Sequence, residues 1–341
     1  MENDNSGPWR ITFDMNPDDC NLNCIMCEEH SSFNKAKNSS MKRRMDIDVI
    51  RKTVVQLSKR GLIEIIPSTM GEPLLYRHFD EIIKIARENE VMINLTTNGT
   101  WPGKGAEIWA RELCPVCSDI KVSWNGATRE TQESIMKGSN FYKGLEELRS
   151  FIKIRDDIAE SGDNRCRLTL QCTFMEANLI ELPALVKMAA ELGIDRVKGH
   201  HIWVHYPETS KLDLRRSKES RLRWNKIVDK CVEVSERYNL PSGKHVILEN
   251  FVHLPEAEDS TLPTEWNCPF LGKEAWVNHE GRFDPCCAPD PERKKLGEFG
   301  FVTQKGGLEY IWHGPKYTEL VTGYKTYPVC EICNMRRPAT I

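Results

Sequence analysis

The chain has 341 residues, a formal net charge of −3 and 40% hydrophobic residues, which suits one large packed domain with a small one attached. The mild acidity excludes a general attraction to nucleic acid. No stretch approaches the roughly 20 apolar residues of a membrane span, and the opening MENDNSGPW has neither a basic region nor an apolar run, so no signal peptide is expected and the protein is predicted to be cytoplasmic.

Thirteen cysteines are many for such a chain. A reducing compartment disfavours a disulfide framework. Their concentration near the two ends points instead to metal.

The first strand is predicted over Arg10–Asp14. It leads into Cys20, Cys24 and Cys27, a C-x3-C-x2-C run. Iron–sulfur clusters are mostly held by four Cys. Three thiolates on a cubane leave one iron open, as catalytic metal sites keep an open position. Zinc is the alternative for three clustered thiols taken alone. Further strands are predicted over Glu64–Pro67, Met92–Thr96, Ile120–Trp124, Arg167–Phe174 and Arg196–Trp203. Helical patterns lie between them, at Asp46–Arg60 (with Asp46 as N-cap), Phe79–Asn89, Ala106–Leu113, Phe141–Glu160 and Leu179–Leu192. This alternation implies a parallel sheet, wound either as a barrel or as an open doubly wound sheet.

Residues 206–265 read as a bridge with one helix, Lys218–Tyr238. Residues 266–341 are rich in Cys, Gly and Pro and read as a small module with short strands, stapled by metal. A hairpin is predicted over Glu274–Pro285 with its turn at His279-Glu280-Gly281. It brings Cys268 and Cys286 together, and Cys330-x2-Cys333 adds two more thiolates. Cys287 is an alternative to Cys286, and zinc an alternative to a cluster for four thiolates. Cys114-x2-Cys117 is expected to be structural, with a redox pair as the other reading. Cys166, Cys172 and Cys231 are expected to be buried apolar residues.

The first cysteine run resembles the signature of the radical S-adenosylmethionine (SAM) superfamily. Met70-Gly71-Glu72-Pro73 resembles that family's GGEP motif, with Met70 in place of the first Gly. Thr97-Asn98-Gly99 resembles its TNG segment. Ser123-Trp124-Asn125-Gly126-Ala127 resembles its S-[IL]-D-G-A motif, with Asn125 in place of Asp. The C-terminal cysteines resemble the twitch domain, a shortened SPASM domain carrying one auxiliary cluster. The layout is similar to that of 2-deoxy-scyllo-inosamine dehydrogenase and of the anaerobic sulfatase-maturating enzymes.

The resemblance implies a partial (β/α)6 TIM-like barrel over 9–205, a helical bridge over 206–265 and a twitch (SPASM-like) iron–sulfur domain over 266–341. It implies that Cys20, Cys24 and Cys27 hold a [4Fe–4S] cluster whose open iron binds SAM. Cys268, Cys286, Cys330 and Cys333 are then ligands of an auxiliary [4Fe–4S] cluster. Met26, Gly71, Glu72, Pro73, Thr97, Asn98, Ser123, Asn125 and Gly199 are the expected SAM-binding residues. Within that set, Met26 is expected to pack on adenine, Glu72 to pair with the SAM ammonium, and Gly199 to admit adenine.

His200, His201, Gln171 and Lys198 are candidates for substrate binding or proton transfer. Strand alternation lets at most one of the two histidines face the barrel interior. The implied activity is reductive cleavage of SAM to a 5′-deoxyadenosyl radical, hydrogen abstraction, and two-electron oxidation of a sugar or aminocyclitol. Reduced flavodoxin or ferredoxin is the expected electron donor. A peptide substrate, crosslinked or epimerised, is the alternative, although few residues precede Arg10 to form a leader-recognition domain. A non-catalytic zinc-stapled binding module is the competing class.

Overall fold

The computed structural model describes residues 6–35, 42–67, 70–255, 265–331, 333 and 335–338. Its centre is a nine-stranded sheet in the order β7-β6-β5-β4-β3-β2-β1-β8-β9. The strands are β1 (Arg10–Phe13), β2 (Glu64–Ile66), β3 (Met92–Thr97), β4 (Cys117–Ser123), β5 (Arg167–Phe174), β6 (Arg196–His201), β7 (Ile247–Glu249), β8 (Glu274–Val277) and β9 (Phe283–Asp284). Every neighbouring pair is parallel except β8 with β9. Among the described residues β7 and β9 do not pair with each other, so the barrel is open, as a partial TIM barrel is.

Helices α1 (Ile47–Leu57), α2 (Phe79–Glu88), α3 (Ala106–Leu113), α5 (Phe141–Glu160), α6 (Leu182–Leu192) and α7 (Lys218–Arg237) follow strands in the predicted order. Side chains start them where the sequence suggests. The Asp46 carboxylate accepts from Asp48 N–H at α1, and Asn140 accepts from Lys143 N–H at α5. One short helix, α4 (Arg129–Ile135), is not predicted; Thr128 caps it through Thr131 N–H.

Period two sorts the strand side chains into two kinds. Ile11, Phe13, Ile65, Ile93, Leu95, Ile120, Val122, Leu168, Leu170 and Val197 are fully buried and form one apolar core with the helices. The alternate positions are polar and bond to one another across the barrel interior. Arg10 pairs with Glu64 and with Glu274, and Ser118 donates to Glu64. Arg196 pairs with Asp119 and with Glu249, while Thr169 donates to Asp119 at 2.8 Å. Burying so much charge is tolerable because each carboxylate meets a cation.

Two sequence expectations change. Residues 206–265 hold a strand, β7, on β6. The C-terminal segment is mainly helical, through α8 (Asp290–Arg293), α9 (Gly307–Trp312), α10 (Pro315–Gly323) and α11 (Pro328–Glu331). Its first strand, β8, is not separate from the barrel: Arg10 to Phe13 run in register beside Glu274 to Val277. The predicted hairpin forms, with Val277 opposite Phe283 and Gly281 at φ +82°. No helix among the described residues is long and apolar enough to cross a membrane.

Candidate active site at the barrel mouth

The Cys20–Cys27 loop leaves the carboxyl end of β1, the end at which parallel barrels place their sites. It rests on a second, small apolar cluster of Leu22, Ile135, Met136, Met175 and Ile202, against which Cys20, Cys24, Ile25 and Met26 pack. Backbone bonds fasten it to the end of α4 and the turn that follows: Ile25 N–H to Ile135 O at 3.0 Å and Asn23 N–H to Lys137 O at 2.9 Å. Leu22 N–H donates to Cys20 Sγ at 3.5 Å, and His30 N–H to Cys27 Sγ at 3.3 Å. Burial pushes the Cys20 thiol up, with the charges of Glu72 and Cys27 adding to it. Cys24 is pushed up by burial, then by Cys27 and Cys20.

These are partly buried thiols that resist ionising beside one another. A polycationic iron–sulfur core relieves that cost, and N–H···S bonds are what its thiolates accept. The donor set fits a cluster. Among the described residues no three His, Cys, Asp or Glu side chains converge as a single-ion site demands.

Gly71 and Glu72 serve this loop directly. At φ +72°, Gly71 lies so close to the loop that a Cβ would stand 2.3 Å from Asn16 O and 2.8 Å from Asp19 O. The Glu72 carboxylate is not aimed at a ligand. It is buried and accepts from Thr97 Oγ1 (2.7 Å), Asn98 N–H (2.7 Å) and Leu74 N–H (3.2 Å). Burial raises its pKa to about 7, against the pull of those three donors. The expected ammonium partner is thus a strut tying β2 to the end of β3. Pro73 opens the short 3-10 turn that follows. Thr97 is spent on Glu72. Asn98 Nδ2 reaches Asn21 Oδ1 (2.8 Å) and Cys20 Sγ (3.8 Å), steadying the first cysteine.

A cavity of about 310 Å³ opens at the mouth of the barrel, with Met26, Ser123, Asn125, Gln171, Lys198 and His200 among its lining. Gln171 Nε2 and His200 Nδ1 lie 3.1 Å apart. The His200 ring is solvent-accessible but recessed in the barrel mouth; its pKa is lowered by partial desolvation there, then by Lys198 and Arg215. Lys198 pairs with Glu249 at 2.6 Å. Asn125 uses its side-chain oxygen to hold Thr173 N–H (2.8 Å).

Two candidates lie on the other face of β6. His201 packs against Phe174 and Trp224, with both ring nitrogens unbonded. Burial lowers its pKa to about 4. Gly199 makes room for the Phe174 ring, which a Cβ would meet at 2.1 Å, rather than for a ligand. The sequence reading missed Thr96, Lys121 and Thr173, which also line the cavity. Counting back by twos from Ser123, or forward from Gln171, finds two of them.

In the C-terminal segment Cys268, Cys286, Cys330 and Cys333 come within electrostatic reach of one another, with exposed Cys287 beside them. Burial pushes Cys286 up to about 11 and Cys330 up to about 12, and the neighbouring thiols add to both. Leu271 N–H donates to Cys268 Sγ at 3.4 Å. These four thiols from three segments also fit a cluster. Cys114, Cys117 and Cys166 are buried at the opposite, amino-terminal end of β4 and β5, where Cys114 and Cys166 hydrogen-bond. Cys172 and Cys231 are buried in the core.

Residues 17–155 match the model of the radical SAM superfamily, and residues 268–334 match that of an iron–sulfur cluster-binding domain, SPASM. A "tungsten-containing aldehyde ferredoxin oxidoreductase cofactor-modifying protein" of Pyrococcus furiosus is 23% identical over 334 residues, 93% of this chain and 85% of that protein. Streptococcus suis SuiB bound to S-adenosylmethionine superposes with a TM-score of 0.66 at 16% identity, covering 96% of this chain and 72% of that one. SuiB is also solved with its precursor peptide SuiA. anSMEcpe with bound AdoMet gives 0.65 at 15% identity, over 96% and 89%. The structural likenesses are likenesses of fold.

Proposed function

We infer that this chain, a radical SAM enzyme with a C-terminal SPASM domain, is an oxidoreductase that removes two electrons from a small polar substrate, such as a sugar, at the barrel mouth. The observation that carries the reading is the cysteine loop lying over a polar cavity, with its own Met26 in the cavity wall. Cys20, Cys24 and Cys27 are the residues to hold the first [4Fe–4S] cluster, and Cys268, Cys286, Cys330 and Cys333 the auxiliary one. When bound, the first cluster and SAM supply a 5′-deoxyadenosyl radical for hydrogen abstraction, and the auxiliary cluster supplies an acceptor for the second electron.

The protein's part is placement and proton handling. Glu72 and Asn98 fix the loop, Met26 offers a polarizable wall for the nucleoside, and Ser123 presents a hydroxyl. His200, oriented by Gln171, is suited to take the proton that leaves an alcohol oxygen when its carbon is oxidised. A peptide substrate is the second reading. Trp203, 49% exposed just past the carboxyl end of β6, is the observation that favours it, as a platform for a side chain.

Anaerobic reconstitution tests the reading. The expected protein is brown, holds about eight irons for two cubanes, and releases 5′-deoxyadenosine from SAM on reduction. A colourless zinc protein that leaves SAM intact overturns it and leaves a zinc-stapled binding module.

A further inference from the structure

Among the described residues the barrel interior carries four cations and four carboxylates, but they are not evenly matched. Glu64 and Glu274 are taken by Arg10, and Asp119 by Arg196, with Glu249 shared between Arg196 and Lys198. Lys121 is left out. The residue is 8% exposed, and its Nζ donates to the neutral Asn94 Oδ1. No carboxylate lies within ion-pair distance of it among the described residues. It forms part of the cavity wall, beside Lys198, and among the described residues no carboxylate lines that cavity.

A buried ammonium without a counter-charge is costly to fold around. Burial brings the Lys121 pKa down to about 8, with Lys198 and Arg10 pushing the same way against Asp119 and Glu64. Yet the chain keeps this charge where a ligand enters. Lys121 and Lys198 are brought together by register: Lys121 lies opposite Thr169 on β5, and Gln171, two residues on, lies opposite Lys198. Two ammonium groups on one wall attract an oxyanion and repel an amine.

We propose that the substrate carries an oxyanion, a carboxylate or a phosphate, whose charge is met by Lys121 with Lys198 at its flank. This rests on the reading of the cavity as the substrate site, and it disfavours a cationic aminocyclitol. An anion bound there gives Lys121 the direct ion pair that its neutral partner Asn94 does not. It also fixes which end of the substrate points down the barrel and which faces the cysteine loop.

The test is equilibrium dialysis of the reconstituted holoenzyme with SAM, against malonate, its neutral diamide malonamide, and inorganic phosphate. At least one anion should bind at millimolar concentration, and malonate roughly tenfold more tightly than malonamide if the group is a carboxylate. A preference for phosphate over malonate identifies the group as phosphate. Lys121→Gln should abolish anion binding, Lys198→Gln should weaken it about threefold, and Lys121→Arg should retain it.

The proposal fails if neither anion binds, if malonamide equals malonate with phosphate silent, or if Lys121→Gln binds as the wild type does. Should that variant not fold, protection of Lys121 from acetic anhydride by the bound anion, read by peptide mass, decides the matter. Binding does not require turnover. Anion capture without 5′-deoxyadenosine therefore sinks the enzymatic reading and leaves Lys121 as an anion site, and the reverse sinks only this proposal.

Discussion

The two cysteine sets are built on opposite plans. The first is local: Cys20, Cys24 and Cys27 share one loop, and the rest of the barrel serves to hold that loop still. The second is convergent: Cys268 precedes β8, Cys286 follows β9, and Cys330 and Cys333 arrive with the last helix. As the proposed cluster ligands, the local set would leave a coordination position open because the loop runs out of thiols. The convergent set would close its sphere because three segments each contribute. Openness suits binding a reactant, and closure suits storing an electron.

The sharpest way to break this comparison is to remove the sets in turn. Changing Cys20, Cys24 and Cys27 to Ala should abolish 5′-deoxyadenosine formation and about half the iron; nucleoside release at the wild-type rate would break it. Changing Cys330 and Cys333 to Ala should also remove about half the iron and eliminate product, yet leave measurable SAM cleavage. Unchanged product yield would deny the second set an electron-accepting role.

Next in size are changes to the supports. Gly71→Ala forces a Cβ against two carbonyl oxygens at a positive φ, and should cost roughly 2–4 kcal/mol, seen as a lower melting temperature. Iron on the C-terminal set should survive it. Tyr324→Phe removes the hydroxyl that accepts from Cys268 N–H at 2.9 Å. It should cost about 1 kcal/mol and loosen the second set alone.

A further prediction concerns the barrel interior. Lys121 is lowered to about 8 when folded, against an unfolded value near 10.4. Between those values the unfolded chain binds the extra proton, so stability rises with pH across that window. Below about 8 the burial penalty is fully present. Urea titrations at pH 7.5 and 10 should show this increment, and Lys121→Gln should flatten it.

Much of this was legible in the sequence. The cysteine spacings, the six strand–helix units and the turn at Gly281 follow from local pattern and backbone sterics. What was not legible depends on neighbours distant in the chain. Glu72 reads as a ligand group until Thr97 and Asn98, supplied by β3, occupy it. Gly199 reads as a notch for a base until Phe174 on the adjacent strand fills the space. The pairing of β8 with β1 joins residues about 260 positions apart, which no periodicity encodes. Lys121 was within reach. Asp119, Lys121 and Ser123 alternate with Ile120 and Val122, but the predicted strand begins at Ile120 and its alternation does not say which face lines the cavity.

The seam between β1 and β8 has a practical corollary. A barrel trimmed after residue 255 would lose more than an iron site. The edge of β1, relieved of its neighbour, would present a row of unsatisfied amides and carbonyls to any passing strand. Such a fragment should self-associate before it could be assayed. The chain is therefore best studied whole, because its tail is also the selvedge that keeps the sheet from fraying.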